Sequence, residues 1–364
     1  VEMVAANQFH GVFVALGAVA AGLELAAMYP ITPATTIYNA MLATLPPEGG
    51  VCLQGEDEIA SIGFCLGASM AGAKTMTATS GPGLALMTEM LGLASMAEVP
   101  VVIVDVQRGG PSTGLPTKSE QSDLWQALWG SHGDAPRVVL APADVEDWFH
   151  ATVAAFNIAE EAQVPVIVLS DQFIAQRRET LSMLTLDHEV VGRQVPSAGE
   201  PRDYKRYKDS KSGISPMTWP GMKGGEYQTN GLEHDEDGSP TSMHIVHEKM
   251  NAKRYRKLRL VRELWIKPRT AEEDESVADF AGDAGDEDAY ATPPGAYWRD
   301  EQHLALSNPA DEPFLELAVG SLGVRNGPGV YRIDAESVRR TLEGADAVIY
   351  DIGILKENPQ HGVT

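Results

Sequence analysis

The sequence predicts an α/β protein built on a mostly parallel, doubly wound sheet, with an extended wrapping segment and a small C-terminal α/β piece after it. Three observations predict this. Over residues 1–187, short apolar runs rich in Val, Ile and Leu alternate with helical stretches, the rhythm of helices on both faces of a parallel sheet. From 197 to 238 the rhythm stops, and Pro, Gly, Lys, Tyr and Asp dominate without a helical or strand period. Near the end a strand–helix–strand pattern returns, at 329–333, 335–342 and 347–354.

The elements follow in order. Residues 15–25 predict a helix of Ala, Gly and Leu, leading to a short strand at 26–29. Helix 34–45, strand 51–53, helix 57–71, strand 74–79, helix 84–96 and strand 101–106 come next. Helix 119–129, strand 137–140, helix 145–161 and strand 166–169 complete the domain. The strand at 101–106 is a near-continuous apolar run, as a strand covered on both faces should be. Residues 243–264 predict a basic helix with Lys249, Lys253, Arg254, Arg256, Lys257 and Arg259, read as a solvated face or as a dock for an acidic neighbour. The acid-rich stretch 272–288 reads as a solvated linker, with an adaptation to high salt or a patch for a basic partner as alternatives. The expected organisation is a sheet domain at 1–187, a wrapping segment and basic helix at 188–264, an acidic linker at 265–310 and an atypical α/β piece at 311–364. The wrapping segment is expected to cover a partner's surface.

Bulk properties narrow the function. With 364 residues, 43% of them hydrophobic, the chain can bury a large core. A net charge of −23 argues against nucleic acid, which needs a basic face. No apolar stretch suits a bilayer and no signal-peptide pattern is present, so a cytoplasmic protein is expected. Cys52 and Cys65 read as buried thiols in a reducing compartment, and two cysteines cannot hold a four-cysteine iron–sulfur cluster. His132 and His150 lack ligand spacing, and no metal site is expected.

The chemistry concentrates at strand ends. Arg108-Gly109-Gly110-Pro111-Ser112-Thr113-Gly114 follows an apolar strand, so a guanidinium and two hydroxyls sit where open α/β sheets bind ligands. Its planar fork suits a carboxylate or phosphate. Tyr29-Pro30-Ile31-Thr32-Pro33 ends another apolar stretch, and its prolines fix the loop and place the Thr32 hydroxyl. Glu56-Asp57-Glu58 opens a helix whose next turns hold Ala60, Gly63, Gly67 and Ala68. These acids read either as plain helix caps or as a carboxylate aimed into a cleft, with small residues behind for close packing. Thr79-Ser80-Gly81-Pro82-Gly83 reads as one more strand-end loop, turning the chain or meeting a cofactor. Together these suggest a domain that binds a small carboxylate, with one acid free for proton work.

These residues resemble the alpha subunit of the 2-oxoacid:ferredoxin oxidoreductase family. The resemblance rests on Tyr29-Pro30-Ile31-Thr32-Pro33, Gly55-Glu56-Asp57-Glu58, Thr79-Ser80-Gly81-Pro82-Gly83 and, most specifically, Asp105-Val106-Gln107-Arg108-Gly109-Gly110-Pro111-Ser112-Thr113-Gly114. With Tyr204-Lys205-Arg206-Tyr207, Gly213-Ile214-Ser215-Pro216 and Gly231-Leu232-Glu233-His234-Asp235 it covers roughly 14–262, and it is closer to the 2-oxoglutarate branch than to the pyruvate branch.

The resemblance implies a pyrimidine-type thiamine-diphosphate domain and CoA-dependent oxidative decarboxylation of 2-oxoglutarate to succinyl-CoA and CO2, with reduction of ferredoxin. It implies that Glu58 activates the aminopyrimidine ring. It also implies that Arg108 clamps the substrate carboxylate with Thr32 and Thr113, and that Tyr29, Pro30, Ile31, Ser80 and Gly81 touch the cofactor. The implied partner is a beta subunit carrying the diphosphate site, Mg2+ and a 4Fe–4S cluster, in an (alpha-beta)2 heterotetramer with coenzyme A as co-substrate. Pyruvate or branched-chain 2-oxoacids, a scaffold or regulatory subunit, and a non-redox decarboxylase are the alternatives. His10-Gly11-Val12-Phe13 stands where the family has Gly-Asn-Glu-Ala, and residues beyond about 264 do not match its second alpha domain.

Overall fold

A computed structural model describes residues 9–177, 188–197, 203–265, 303–307, 313–318 and 348–350. The predicted elements at 329–333 and 335–342 and the acid-rich stretch 272–288 lie outside the described residues.

The βα rhythm forms as expected. Helix α1 (Phe9–Ala20) leads to β1 (Leu25–Met28), α2 (Thr35–Thr44), β2 (Val51–Gln54), α3 (Glu58–Met70), β3 (Thr75–Thr79), α4 (Gly81–Met96) and β4 (Val101–Gln107). Then come α5 (Leu124–Trp129), β5 (Val138–Leu140), α6 (Asp147–Ala162), β6 (Pro165–Asp171), α7 (Gln172–Gln176) and α8 (His244–Trp265). Strands β1 to β6 are all parallel, in the order β2-β1-β3-β4-β6-β5. Strand β7 (His303–Ser307), inside the stretch expected to be linker, β8 (Pro313–Ala318) and β9 (Val348–Tyr350) continue the same sheet beyond β5, with β9 parallel to β5 and β7 antiparallel to β8.

Two helical layers cover the sheet because β4 alternates. Val102, Val104 and Val106 join the core under α1, α2 and α6, whereas Val101 and Ile103 join the core under α3 and α4. The chain runs from β1 outward to β2 and returns to β3 on the other side of β1. That reversal opens a crevice at the carboxyl ends of β1 and β3, the place where such sheets take ligands.

One expectation is refined here. Of the cations singled out on α8, Lys249 is exposed and paired with Glu236, whereas Lys253, Arg254, Arg256 and Lys257 dock on acidic neighbours of the same chain. Lys253 and Lys257 are fully buried, and both ammonium groups reach Glu98, which lies between α4 and β4. Lys253 Nζ donates to both Glu98 carboxylate oxygens at 2.7 Å, and Lys257 Nζ lies 2.5 Å from Oε2. Arg254 forks onto Glu233 at 2.9 and 3.0 Å. The physical reason is desolvation, which forces any buried cation to find an anion.

The wrapping segment lies over its own chain. The buried Arg206 donates to the Glu98 carbonyl at 2.6 Å, Gln163 donates to the Ser215 carbonyl at 2.8 Å, and Trp219 packs against Gly72. The atypical start of α1 is also absorbed by packing, with buried His10 bonded to Thr36 at 2.9 Å and Gly11 pressed against the backbone of α2.

The Glu98 cluster generates a stability prediction. Burial alone would raise the Glu98 carboxyl, but Lys253, Lys257 and Arg206 outweigh it and hold the group well below its ordinary 4.5. A depressed carboxylate contributes stability that is complete above that ordinary value and drains away as pH falls through the folded one. Glu98→Ala is expected to cost roughly 3–5 kcal/mol, because it strands buried cations. It should also flatten the acid limb of a urea-unfolding series between about pH 3 and 5.

Candidate functional site

Strands β1, β3 and β4 deliver one part of the site each. After β1 the chain turns through Tyr29 and Thr32, both exposed, with Pro30 and Ile31 half-buried between them. After β3 only Ser80 intervenes before the helix. Ser80 is the N-cap of α4, and Gly81-Pro82-Gly83 form its first turn. The expected loop at 79–83 is therefore corrected to a strand running almost directly into a helix. Proline is at home in a first helical turn, where its missing N–H costs nothing.

Arg108, just past β4, ties two of these loops together. Nη1 donates to the Thr32 carbonyl at 2.6 Å and Nη2 to the Thr113 carbonyl at 2.8 Å. Both threonines are exposed and hold the guanidinium through their main-chain carbonyls. Arg108 is 5% exposed, and its Nε–H has no partner among the described residues. Of the five N–H groups of a guanidinium, these two contacts use only two. Burial lowers its proton affinity, and the charges of Asp123 and Glu58 oppose that. The loop beyond it closes on itself, with the Leu115 N–H on the Gly109 carbonyl at 2.7 Å. Gly114, at φ +59°, would drive any Cβ into that same carbonyl.

Glu58 begins α3, behind Asp57, whose carboxylate caps the helix by accepting from the Ala60 N–H at 2.7 Å. The Glu58 side chain turns inward, 6% exposed, onto the first turn of α4. A Cβ on Gly83 would stand 2.7 Å from Glu58 Cγ and 2.9 Å from Oε1. Glu58 and Arg108 thus share one neighbourhood at the carboxyl edge of the sheet. Beside Glu58, the outer face of α3 is open: Ile59, Phe64 and Gly67 are exposed, and a Cβ on Gly67 would meet nothing within 4 Å.

Two acids were not singled out by sequence reasoning. Asp105 follows Val101 and Ile103 on the α4 side of β4, and Asp123 immediately precedes α5. Asp105 is 0% exposed, and neither carboxyl oxygen has a partner among the described residues. Burial, with the charge of Asp123 added, raises it well above the ordinary carboxylate range. Asp123 is 8% exposed and sits against the start of α4, its oxygens 2.5 and 2.6 Å from where a Gly81 Cβ would stand. Burial and Glu120 push it up to about 6, against the pull of Arg108 and a Ser122 hydrogen bond. The available signal was an acid inside the run Val101-Val102-Ile103-Val104-Asp105-Val106.

Other predicted features lie elsewhere. His150 is exposed, and exposed His132 lies 3.8 Å from Glu89. Cys65 is buried, with its thiol pushed up to about 12, whereas Cys52 is only half-buried. Among the described residues, no group of three or more His, Cys, Asp or Glu is placed to hold a metal ion, and no helix is long and apolar enough to cross a membrane.

Comparison with known proteins places these features in a family context. Residues 16–253 match the family model described as pyruvate flavodoxin/ferredoxin oxidoreductase, thiamine-diphosphate binding. The chain is 46% identical over 237 residues to 2-oxoglutarate synthase subunit KorA of Methanothermobacter marburgensis, covering 65% of this chain and 62% of that protein. It is 47% identical over 234 residues to the same subunit of Archaeoglobus fulgidus, covering 64% and 61%. A solved structure, 2-oxoglutarate:ferredoxin oxidoreductase from Magnetococcus marinus with 2-oxoglutarate, coenzyme A and succinyl-CoA bound, superposes with a TM-score of 0.69 at 48% identity. That match covers 71% of this chain and 45% of the other. The chain spans about three fifths of the length of these two relatives.

The packing of Glu58 on α4 makes a direct prediction. Gly83→Ala forces a methyl against Glu58 and Thr79 and should cost roughly 1–3 kcal/mol in thermal or urea unfolding. Gly67→Ala, facing open space on α3, should instead be neutral or stabilising by up to about 1 kcal/mol.

Proposed function

The chain belongs to the pyruvate flavodoxin/ferredoxin oxidoreductase family through its thiamine-diphosphate-binding region, and from that premise we propose that it is the alpha subunit of a 2-oxoglutarate:ferredoxin oxidoreductase. The reaction is conversion of 2-oxoglutarate and coenzyme A to succinyl-CoA and CO2, with two electrons passed singly to ferredoxin. The observation that carries this reading is the shared location of buried Glu58 and buried Arg108 at the sheet's switch point, beside an open face of α3. Similarity at 43–48% identity to proteins named for 2-oxoglutarate supports the choice of substrate.

The residues present fit a thiamine ring. Glu58 offers a carboxyl in a nearly dry setting, Gly83 leaves room for it, and small residues on α3 allow a flat group to approach closely. When bound, thiamine diphosphate supplies the nucleophilic carbon for the keto group and accepts the electron pair left by departing CO2. Glu58 would hydrogen-bond the aminopyrimidine ring nitrogen and so bias the tautomer of that ring. Arg108 grips the carboxylate with its unused N–H groups. It is pre-aimed by Thr32 and Thr113, so orientation is in place before the reaction starts. Tyr29, Pro30, Ile31, Ser80 and Gly81 would line the ring.

A beta subunit completes the enzyme, holding the diphosphate, Mg2+ and a 4Fe–4S cluster, in an (alpha-beta)2 assembly in the cytoplasm. The exposed apolar residues Ile59, Phe64 and Leu86 on α3 and α4 suit that contact. Two free cysteines suit a reducing compartment.

In the assembled complex, Glu58→Gln is expected to lower kcat by about 10²–10⁴-fold without loss of assembly. Arg108→Lys should mainly raise KM for the 2-oxoacid, because a point charge replaces a planar fork. Both are read by 2-oxoglutarate-dependent reduction of a low-potential acceptor. Turnover of Glu58→Gln at the wild-type rate would reduce this chain to a scaffold.

A further inference from the structure

Arg108 lies in a neighbourhood of four acids, with Lys118 exposed on the same loop. Glu58 comes from α3, Asp105 from β4, and Asp123 and Glu120 from the stretch leading to α5. Glu120 is exposed and holds the Gly110 N–H at 2.9 Å. Asp123 is positioned from three sides. Its own N–H donates to Gln107 Oε1 at 2.9 Å, its carboxylate lies on the first turn of α4 where Gly81 admits it, and its charge acts on Arg108. Among the described residues, one of its oxygens, Oδ2, is buried without a partner, as are both Asp105 oxygens, the Ser80 hydroxyl and Arg108 Nε.

Such an arrangement has unspent capacity for a proton. An incoming carboxylate on Arg108 would bring a further negative charge into a buried cluster that already holds more acids than bases. It would also draw the guanidinium's field away from Asp123. Neutralising one resident acid is the least costly way to admit it, since an uncompensated buried charge is expensive.

Building on the 2-oxoacid reading above, we propose that Asp123 is a positioning residue for the Arg108 clamp, and that substrate carboxylate binding is coupled to uptake of a proton by the Asp105–Asp123 pair. The proton comes from solvent and rests on a carboxyl oxygen that has no hydrogen-bond partner among the described residues. Asp105, raised by its burial among apolar neighbours and by the charge of Asp123, sets the level at which Asp123 accepts it. The coupling is reciprocal: what protonation does for substrate affinity, substrate does for proton affinity. The 2-oxoacid therefore binds more tightly at lower pH.

The test uses the complete holoenzyme. Steady-state KM for 2-oxoglutarate is expected to rise roughly threefold to tenfold per pH unit between pH 6.5 and 8, equivalent to uptake of about half to one proton. Calorimetric titration with 2-hydroxyglutarate, which keeps the carboxylate but offers no keto carbon, should give heats that differ between buffers of low and high ionisation enthalpy. Asp123→Asn should abolish both the KM slope and the buffer dependence. Asp105→Asn, which holds its position uncharged, should retain the slope. A flat wild-type KM, buffer-independent heats, or an Asp123→Asn enzyme with the wild-type slope would overturn the inference while leaving the Arg108 clamp standing. Absence of any 2-oxoacid turnover would remove the functional reading itself. If Asp123→Asn does not assemble, the wild-type measurements decide alone.

Discussion

A single guanidinium, held by two main-chain carbonyls, fixes the relation between the loop after β1 and the loop after β4. Those carbonyls belong to backbone, so their positions are set by the sheet and not by rotamers. Arg108 is thereby aimed without using the hydroxyls of Thr32 and Thr113, which remain on exposed residues. The remaining parts depend on this tie. Glu58 approaches from α3 across a glycine, Asp123 approaches across another, and both acids shape the field at the same cation. Glycines 81 and 83 act as absent side chains. Each leaves the space in which a carboxylate from another element stands, next to the positive end of α4.

The framework was legible because its physics is local. Apolar runs such as 101–106 and 166–169 announce strands covered on both faces, and every predicted strand from 26–29 to 166–169 has its counterpart within a few residues. The Arg108 and Thr32 loops were legible as site elements from their place at strand ends. What escaped was non-local. Nothing near Lys253 or Lys257 reveals that Glu98 waits in the sequence more than 150 residues earlier. A cationic helix therefore read as a solvated face or as a dock for an acidic neighbour. Asp105 escaped for the opposite reason: it hides inside an otherwise apolar strand, where one acid barely disturbs the pattern. The start of α4 was misplaced because Gly81-Pro82-Gly83 carries turn chemistry, which a first helical turn also tolerates.

The two buried charge groups solve the same problem in opposite ways. Around Glu98, cations outnumber the acid, and the carboxylate stays ionised under their field. Around Arg108, acids outnumber the cation, and burial lifts Asp105 and Asp123 above the ordinary carboxylate range. The first cluster locks α8 and the wrapping segment onto the sheet domain. The second leaves room for charge to change, as befits a place where an anion enters.

The Glu98 cluster also has a consequence for birth on the ribosome. Glu98 emerges well before its neutralising lysines, with Lys253 following 155 residues later. At about 5–20 residues per second, that interval is roughly 8–30 s. Throughout it, the turn between α4 and β4 carries a carboxylate without the two lysines that bond it, Arg206 being the one cation of the cluster made in the meantime. The N-terminal layers can collapse in that time, but the face around Glu98 stays wet until α8 arrives to close it.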